Sequence, residues 1–111
     1  MFREITIMEP FQPDDIFLES SLDDLFGGVW SRPGLTRKER RWITLTTVAM
    51  SGSPDPIKIH ITAALKSGDI TPEEMMEFVL QFAYYAGWPM TYEVHSAVRT
   101  AIAELDVPNA D

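Results

Sequence analysis

The sequence predicts an all-α protein, a compact bundle of about five to six helices. Three observations point there. Apolar residues recur at spacings of three and four through most of the chain. Helix-start boxes stand at Thr36 with Glu39 and at Thr71 with Glu74. Glycines suited to ending helices follow at Gly52, Gly68 and Gly87. Period-two alternation, the mark of a half-buried strand, is confined to a weak hint at Ile5 and Ile7.

Each element has a local cause. Residues 1–13, bounded by Pro10 and Pro13, read as an extended arm. A first helix is expected from Asp14 to Phe26, with Leu18, Leu22, Leu25 and Phe26 on one face. Asp14, Asp15 and Glu19 suit the positive end of its dipole, and Gly27-Gly28 stops it. Arg32-Pro33-Gly34 reads as a turn. The second helix starts at Thr36 and runs to about Ser51. The third starts near Pro54, a good first-turn residue after Ser53, and ends at Gly68. The fourth begins at Thr71, with Pro72 in its first position, and ends at Gly87. The fifth runs from about Met90 to Leu105, with Val94, Ala97, Val98, Ala101, Ile102 and Leu105 as its buried stripe. Residues 106–111 read as a frayed tail.

Length and charge narrow the function. A chain of 111 residues suits one domain, spanning 1–111. Such a domain buries only about 60–70% of its unfolded surface, and an apolar content of 45% is enough for a core. Nine basic against 17 acidic residues give a net charge of −8. That argues against a general nucleic-acid binder, which needs a basic face, and against adsorption to anionic membranes. The absence of cysteine removes disulfides, thiolate nucleophiles and thiolate metal ligands. No apolar run reaches the ~18 residues of a spanning helix. Met1-Phe2-Arg3-Glu4 lacks the layout of a signal peptide. The cytoplasm is the expected compartment.

Two helices carry too little polar surface for a lone protomer. On the second, the continuous polar line is Arg40, Thr44, Thr47 and Ser51. On the fourth it is Glu74, Glu77, Gln81 and Tyr84. The other faces hold Trp42, Ile43, Leu45, Val48, Met50 and Met75, Met76, Phe78, Val79, Leu80, Phe82. Helices apolar nearly all round are buried nearly all round, so a homo-oligomer is expected.

His60 is the first candidate for chemistry. It shares one face of the third helix with Ile57, Ile61 and Ala64. It reads either as an acid or base lining an apolar pocket, or as a core histidine bonded to a backbone carbonyl. The second candidate is the cationic segment Arg32, Arg37, Lys38, Arg40 and Arg41, which holds five of the nine basic residues. Its arginines either hold carboxylates of an anionic substrate in fork geometry, or form a solvated or salt-bridged face. Glu39 has a sufficient role as the third residue of a capping box. Tyr85, Trp88 and Tyr92 read as a pocket wall or as ordinary core aromatics. His95 reads as a substrate-binding or a partly exposed helix residue. No histidine–carboxylate spacing fits a metal site, and no glycine-rich phosphate loop is present.

The order of these features resembles the carboxymuconolactone decarboxylase family over roughly residues 17 to 103. The resemblance is carried by Trp30-Ser31-Arg32-Pro33-Gly34-Leu35, by Ile57-Lys58-Ile59-His60 with Ala63-Ala64-Leu65-Lys66-Ser67-Gly68, and by Tyr84-Tyr85-Ala86-Gly87-Trp88-Pro89. It implies the helical fold shared with alkylhydroperoxidase D-like proteins, and a ring-like hexamer or a trimer. It implies a cofactor-free decarboxylation of a small anionic lactone diacid in aromatic-compound breakdown. His60 would be the proton donor, Glu39 a catalytic or orienting carboxylate, and Arg32 with Arg41 the carboxylate anchors. Tyr85, Trp88, Tyr92 and His95 would line the substrate pocket. The peroxide-reducing branch is excluded, because Ser53 and Pro56 stand where its two cysteines precede His60. Gln81, Tyr92 and Glu93 depart from the polar residues usual around this turn. That keeps open an isomerase or other lyase acting on a different ring compound, and a non-catalytic oligomeric binding protein.

Overall fold

The computed structural model describes residues 1–106. Its elements in chain order are α1 (Phe2–Thr6), α2 (Ile16–Ser20), a wide turn (Ser21–Phe26), a tight turn (Val29–Ser31), α3 (Arg37–Ser51), α4 (Pro54–Lys66), α5 (Pro72–Ala86) and α6 (Trp88–Asp106). Among the described residues there are six α-helices and no strand. Residues 107–111, most of the expected tail, lie outside the described residues.

α3 to α6 form the main bundle. α6 packs on α5 and α4, and α4 packs on α3. Their shared core holds Leu45, Ala49, Ile57, Ile61, Ala64, Ile70, Met75, Phe82, Val94 and Val98. Both predicted capping boxes form. The hydroxyl of Thr36 accepts from the Glu39 amide at 3.1 Å, and the Glu39 carboxylate accepts from the Thr36 amide at 2.8 Å. Thr71 and Glu74 repeat the exchange at 3.1 and 3.0 Å. Thr71→Ala is expected to lower the unfolding free energy by about 1 kcal/mol in urea titration.

Three expectations need correction. The first concerns the arm. Phe2–Thr6 is helical, and Phe2 and Ile5 are buried. Five residues cannot hold a helix by themselves. Tertiary contacts hold this one. Phe2 meets Phe26 and Phe11 edge-on, with ring centroids 4.8 and 5.4 Å apart, and α1 rests on α4. The second concerns the first long helix, which is shorter and changes pitch. Asp15 caps α2 by accepting from the Leu18 amide at 2.8 Å. From Ser21 the chain widens, so that the Gly27 amide reaches back five residues to the Leu22 carbonyl at 2.9 Å. Leu25, expected on the buried face, is 43% exposed. The third concerns α6, which begins at Trp88 rather than Met90. Gly87, at φ 98°, makes the reversal between α5 and α6, and Pro89 is tolerated in the first helical turn.

Of the apolar faces read from the sequence, Leu45, Met75, Phe78, Val79 and Phe82 are buried within the single chain, and a part stays open. Ile43 and Met50 on α3 and Leu80 on α5 are exposed, as is Tyr84 of the polar line of α5. Among the described residues no helix is long and apolar enough to cross a membrane.

Candidate functional site

His60 lies mid-way along α4 and is half-buried. Burial first, and then the nearby Arg41 cation, hold its imidazole below the ordinary histidine value. In the free protein the ring is therefore neutral near pH 7, and its protonated form is a stronger acid than that of a solvated histidine.

Arg41, expected from the sequence to anchor a substrate carboxylate, is instead spent on the fold. Its side chain is 1% exposed. Nε donates to Asp69 Oδ2 at 2.8 Å, Nη1 to the Ile5 carbonyl at 3.0 Å and Nη2 to the Glu4 carbonyl at 3.1 Å. The Trp30 ring centroid lies 6.0 Å from the guanidinium carbon. Arg41 thus ties α1 and the turn after α4 to α3. For the site it supplies positive charge beside His60.

Glu39 is likewise committed. Its exposed carboxylate serves the Thr36 cap, and the hydrogen bond from the Thr36 amide, foremost, holds it below the usual carboxylate range. The catalytic part expected of it has no support in this placement. Arg32 is exposed just before α3, and its carbonyl accepts from Arg40 Nη2 at 3.1 Å. Lys38 pairs with the Glu74 carboxylate across to α5.

Three of the predicted pocket residues do meet. A groove of about 320 Å³ runs between α5 and α6, and Trp88, Tyr92 and His95 line it with Glu77, Leu80 and Thr91. Its walls are mainly apolar, and a carboxylate, an imidazole, a phenol and a hydroxyl reach it. The Tyr84 ring stands edge-on to Trp88, 5.2 Å between centroids. Tyr85, expected as a pocket wall, lies outside this groove and is 84% exposed. His60 is also not part of the groove.

Sequence reasoning missed Glu77 and Thr91 as groove residues and Asp69 as the partner of Arg41. Glu77 was legible as one turn before Gln81 on the polar line of α5. Asp69, 28 residues from Arg41, left no local signal. Among the described residues, no group of three or more His, Cys, Asp or Glu side chains is placed to hold a metal ion.

Comparison with known proteins matches these features to one family. The sequence model of the carboxymuconolactone decarboxylase family matches residues 18–100. The chain is 38% identical over 64 residues to a 4-carboxymuconolactone decarboxylase of Acinetobacter baylyi, covering 58% of this chain and 47% of that protein. It is 32% identical over 80 residues to a nitrosuccinic acid decarboxylase of Metarhizium robertsii, covering 72% of this chain and 55% of that protein. The chain thus spans about half the length of the curated relatives it matches. With its helical bundle, its half-buried His60 and a match over most of its length, the chain belongs to the carboxymuconolactone decarboxylase family.

Proposed function

We propose that this protein is a decarboxylase of a small carboxylated lactone or related acid, acting without a metal or organic cofactor. The observation that carries the reading is His60: a half-buried imidazole beside the Arg41 cation, inside the region that matches the family. The names of both relatives support the class of reaction, and they differ in the acid named.

The chemistry sets the parts. Breaking the bond to the departing carboxylate leaves an electron pair that must flow toward an electron-withdrawing group. A proton must then reach a carbon of the anion left behind. His60 is the donor in this reading. An anionic substrate favours the imidazolium that the empty site disfavours, so the acid is charged where it is used. Arg32 draws in a carboxylate from the surface. The groove with Trp88, Tyr92 and His95 offers apolar wall and polar contacts from Tyr92, His95, Glu77 and Thr91.

One protomer does not bring His60 and this groove into a single cavity. Self-association, as a trimer or hexamer, covers the open faces at Ile43, Met50, Leu80 and Tyr84 and closes the site. A folded single chain by light scattering at micromolar concentration would remove that part of the reading.

The function is tested by carbon dioxide release from chelator-treated protein given 4-carboxymuconolactone or nitrosuccinic acid. Release from at least one is expected. An absorbance change without carbon dioxide selects an isomerase on the same scaffold, and no reaction with either acid discards the decarboxylase.

A further inference from the structure

A cleft of about 460 Å³ lies between α3 and α5. It is lined by Trp42 and Thr46 from α3 and by Glu74, Glu77, Phe78 and Gln81 from α5. None of these is among the open residues Ile43, Met50, Leu80 and Tyr84, and His60 does not line the cleft. The aromatic wall is fixed. Trp42 stacks on the buried Phe78, with ring centroids 5.9 Å apart and planes 26° apart.

The polar groups of the lining are biased toward acceptance. The Thr46 hydroxyl gives its proton to the Trp42 carbonyl at 2.8 Å, so it has only lone pairs to offer. Both Glu74 oxygens are taken, Oε1 by the Thr71 amide and Oε2 by the Lys38 ammonium. That ion pair answers its own charge. Glu77 is different. It is exposed, and no cation lies within 4.0 Å of its carboxylate among the described residues. Gln81 follows it by one helical turn on the same face. The unanswered charge on the lining is therefore negative, and solvent reaches it. An indole face and a carboxylate both attract positive charge, and an acid is repelled at the same place.

We infer that this cleft binds a small organic cation, an amidinium or guanidinium group on an apolar body, which stacks on Trp42 and donates its N–H pair to Glu77. A planar cation answers both partners together. Its face lies on an aromatic ring, and its edge presents parallel N–H groups to a carboxylate. A primary ammonium has no such face. The net charge of −8 adds a general attraction for cations, which is separable from the site by experiment. The cation site does not depend on the decarboxylase reading.

Benzamidinium, benzamide and benzoate share one shape and differ in charge. They are titrated into the ¹⁵N-labelled protein at ~0.15 M salt, which screens distant charges. Glu77 borders both this cleft and the α5–α6 groove, so the readout is the pair of indole N–H signals of Trp42, which lines only the cleft, and Trp88, which lines only the groove. Benzamidinium is expected to move the Trp42 signal saturably, at millimolar concentration, and to bind about tenfold more tightly than benzamide. Benzoate leaves the signal in place. Glu77→Gln, a change at an exposed position, removes the preference for the cation, and Glu73→Gln, on the same helix outside the cleft, keeps it. A Trp42 signal unmoved by benzamidinium at ~50 mM, well above millimolar affinity, overturns the site, and a cleft filled by a second copy gives this result. Equal binding of benzamide, a shift at Trp88 in place of Trp42, or equal losses from Glu73→Gln and Glu77→Gln overturn it too. No turnover enters the measurement, so a negative result leaves the decarboxylase reading standing.

Discussion

His60→Ala is expected to lower turnover about 100-fold or more, with helix content and assembly unchanged. The size follows from the step it serves, since a positioned acid contributes on that scale to protonation of a carbanion. The structural cost of the change is small. The imidazole is only half-buried, and Ile57 and Ile61 on the same helix keep their place in the core. The pH profile separates an acid from a packing residue. Burial and Arg41 depress the His60 pKa in the free protein. A required imidazolium therefore makes kcat/KM fall as pH rises through a value below the ordinary ~6.5. The corresponding limb of kcat lies at higher pH, because bound carboxylates raise the imidazole pKa again. Stability runs the other way. A depressed histidine pKa contributes stability that is fully present above the unfolded value of ~6.5. That contribution is lost as pH falls through the folded value. An unchanged rate in His60→Ala ends the role of His60 as the acid.

Asp69→Ala is expected to be the most destabilising single change among those considered, at about 3 kcal/mol. Asp69 is the only carboxylate paired with Arg41 among the described residues, and the arginine side chain is 1% exposed. Removing the partner leaves a cation buried with backbone carbonyls alone. Asp69 itself is 24% exposed, so the loss falls at the low end of the range for buried pairs. For a domain of this size the melting temperature drops by about 10–20 °C. The cause is distinguishable from loss of packing. Arg41→Met added to Asp69→Ala removes the stranded charge, and the double variant is expected to melt above Asp69→Ala. A melting temperature within ~2 °C of the parent, about the resolution at which 0.5 kcal/mol is read, would mean that the guanidinium needs no counter-charge.

The parts of the fold legible in the sequence are those whose causes are local. Thr36 with Glu39 and Thr71 with Glu74 stand three residues apart, and each pair forms the reciprocal hydrogen bonds that the spacing predicts. Val94, Val98 and Ala101 keep the helical period and are buried, whereas Leu105, expected on the same stripe, is exposed at the end of α6. The groove was partly legible too, since Trp88, Tyr92 and His95 follow each other at steps of four and three residues. What failed depends on distant partners. α1 has too few residues for a period, and its order comes from Phe26, Trp30 and the Arg41 guanidinium, all from later in the chain. Arg41 looked like a substrate anchor because neither Asp69 nor the α1 carbonyls lie near it in sequence. Arg40 read only as a member of the cationic segment, because the burial of its Nε–H without a partner depends on packing.

Turnover in deuterium oxide, with the product read by proton NMR, tests the proton delivery from His60 most directly. The expected product carries deuterium at the carbon that is protonated after carbon dioxide leaves, placed on one face by the parent protein, with that facial preference lost in His60→Gln. Equal deuteration of both faces by the parent protein, or a preference that survives in His60→Gln, would contradict it.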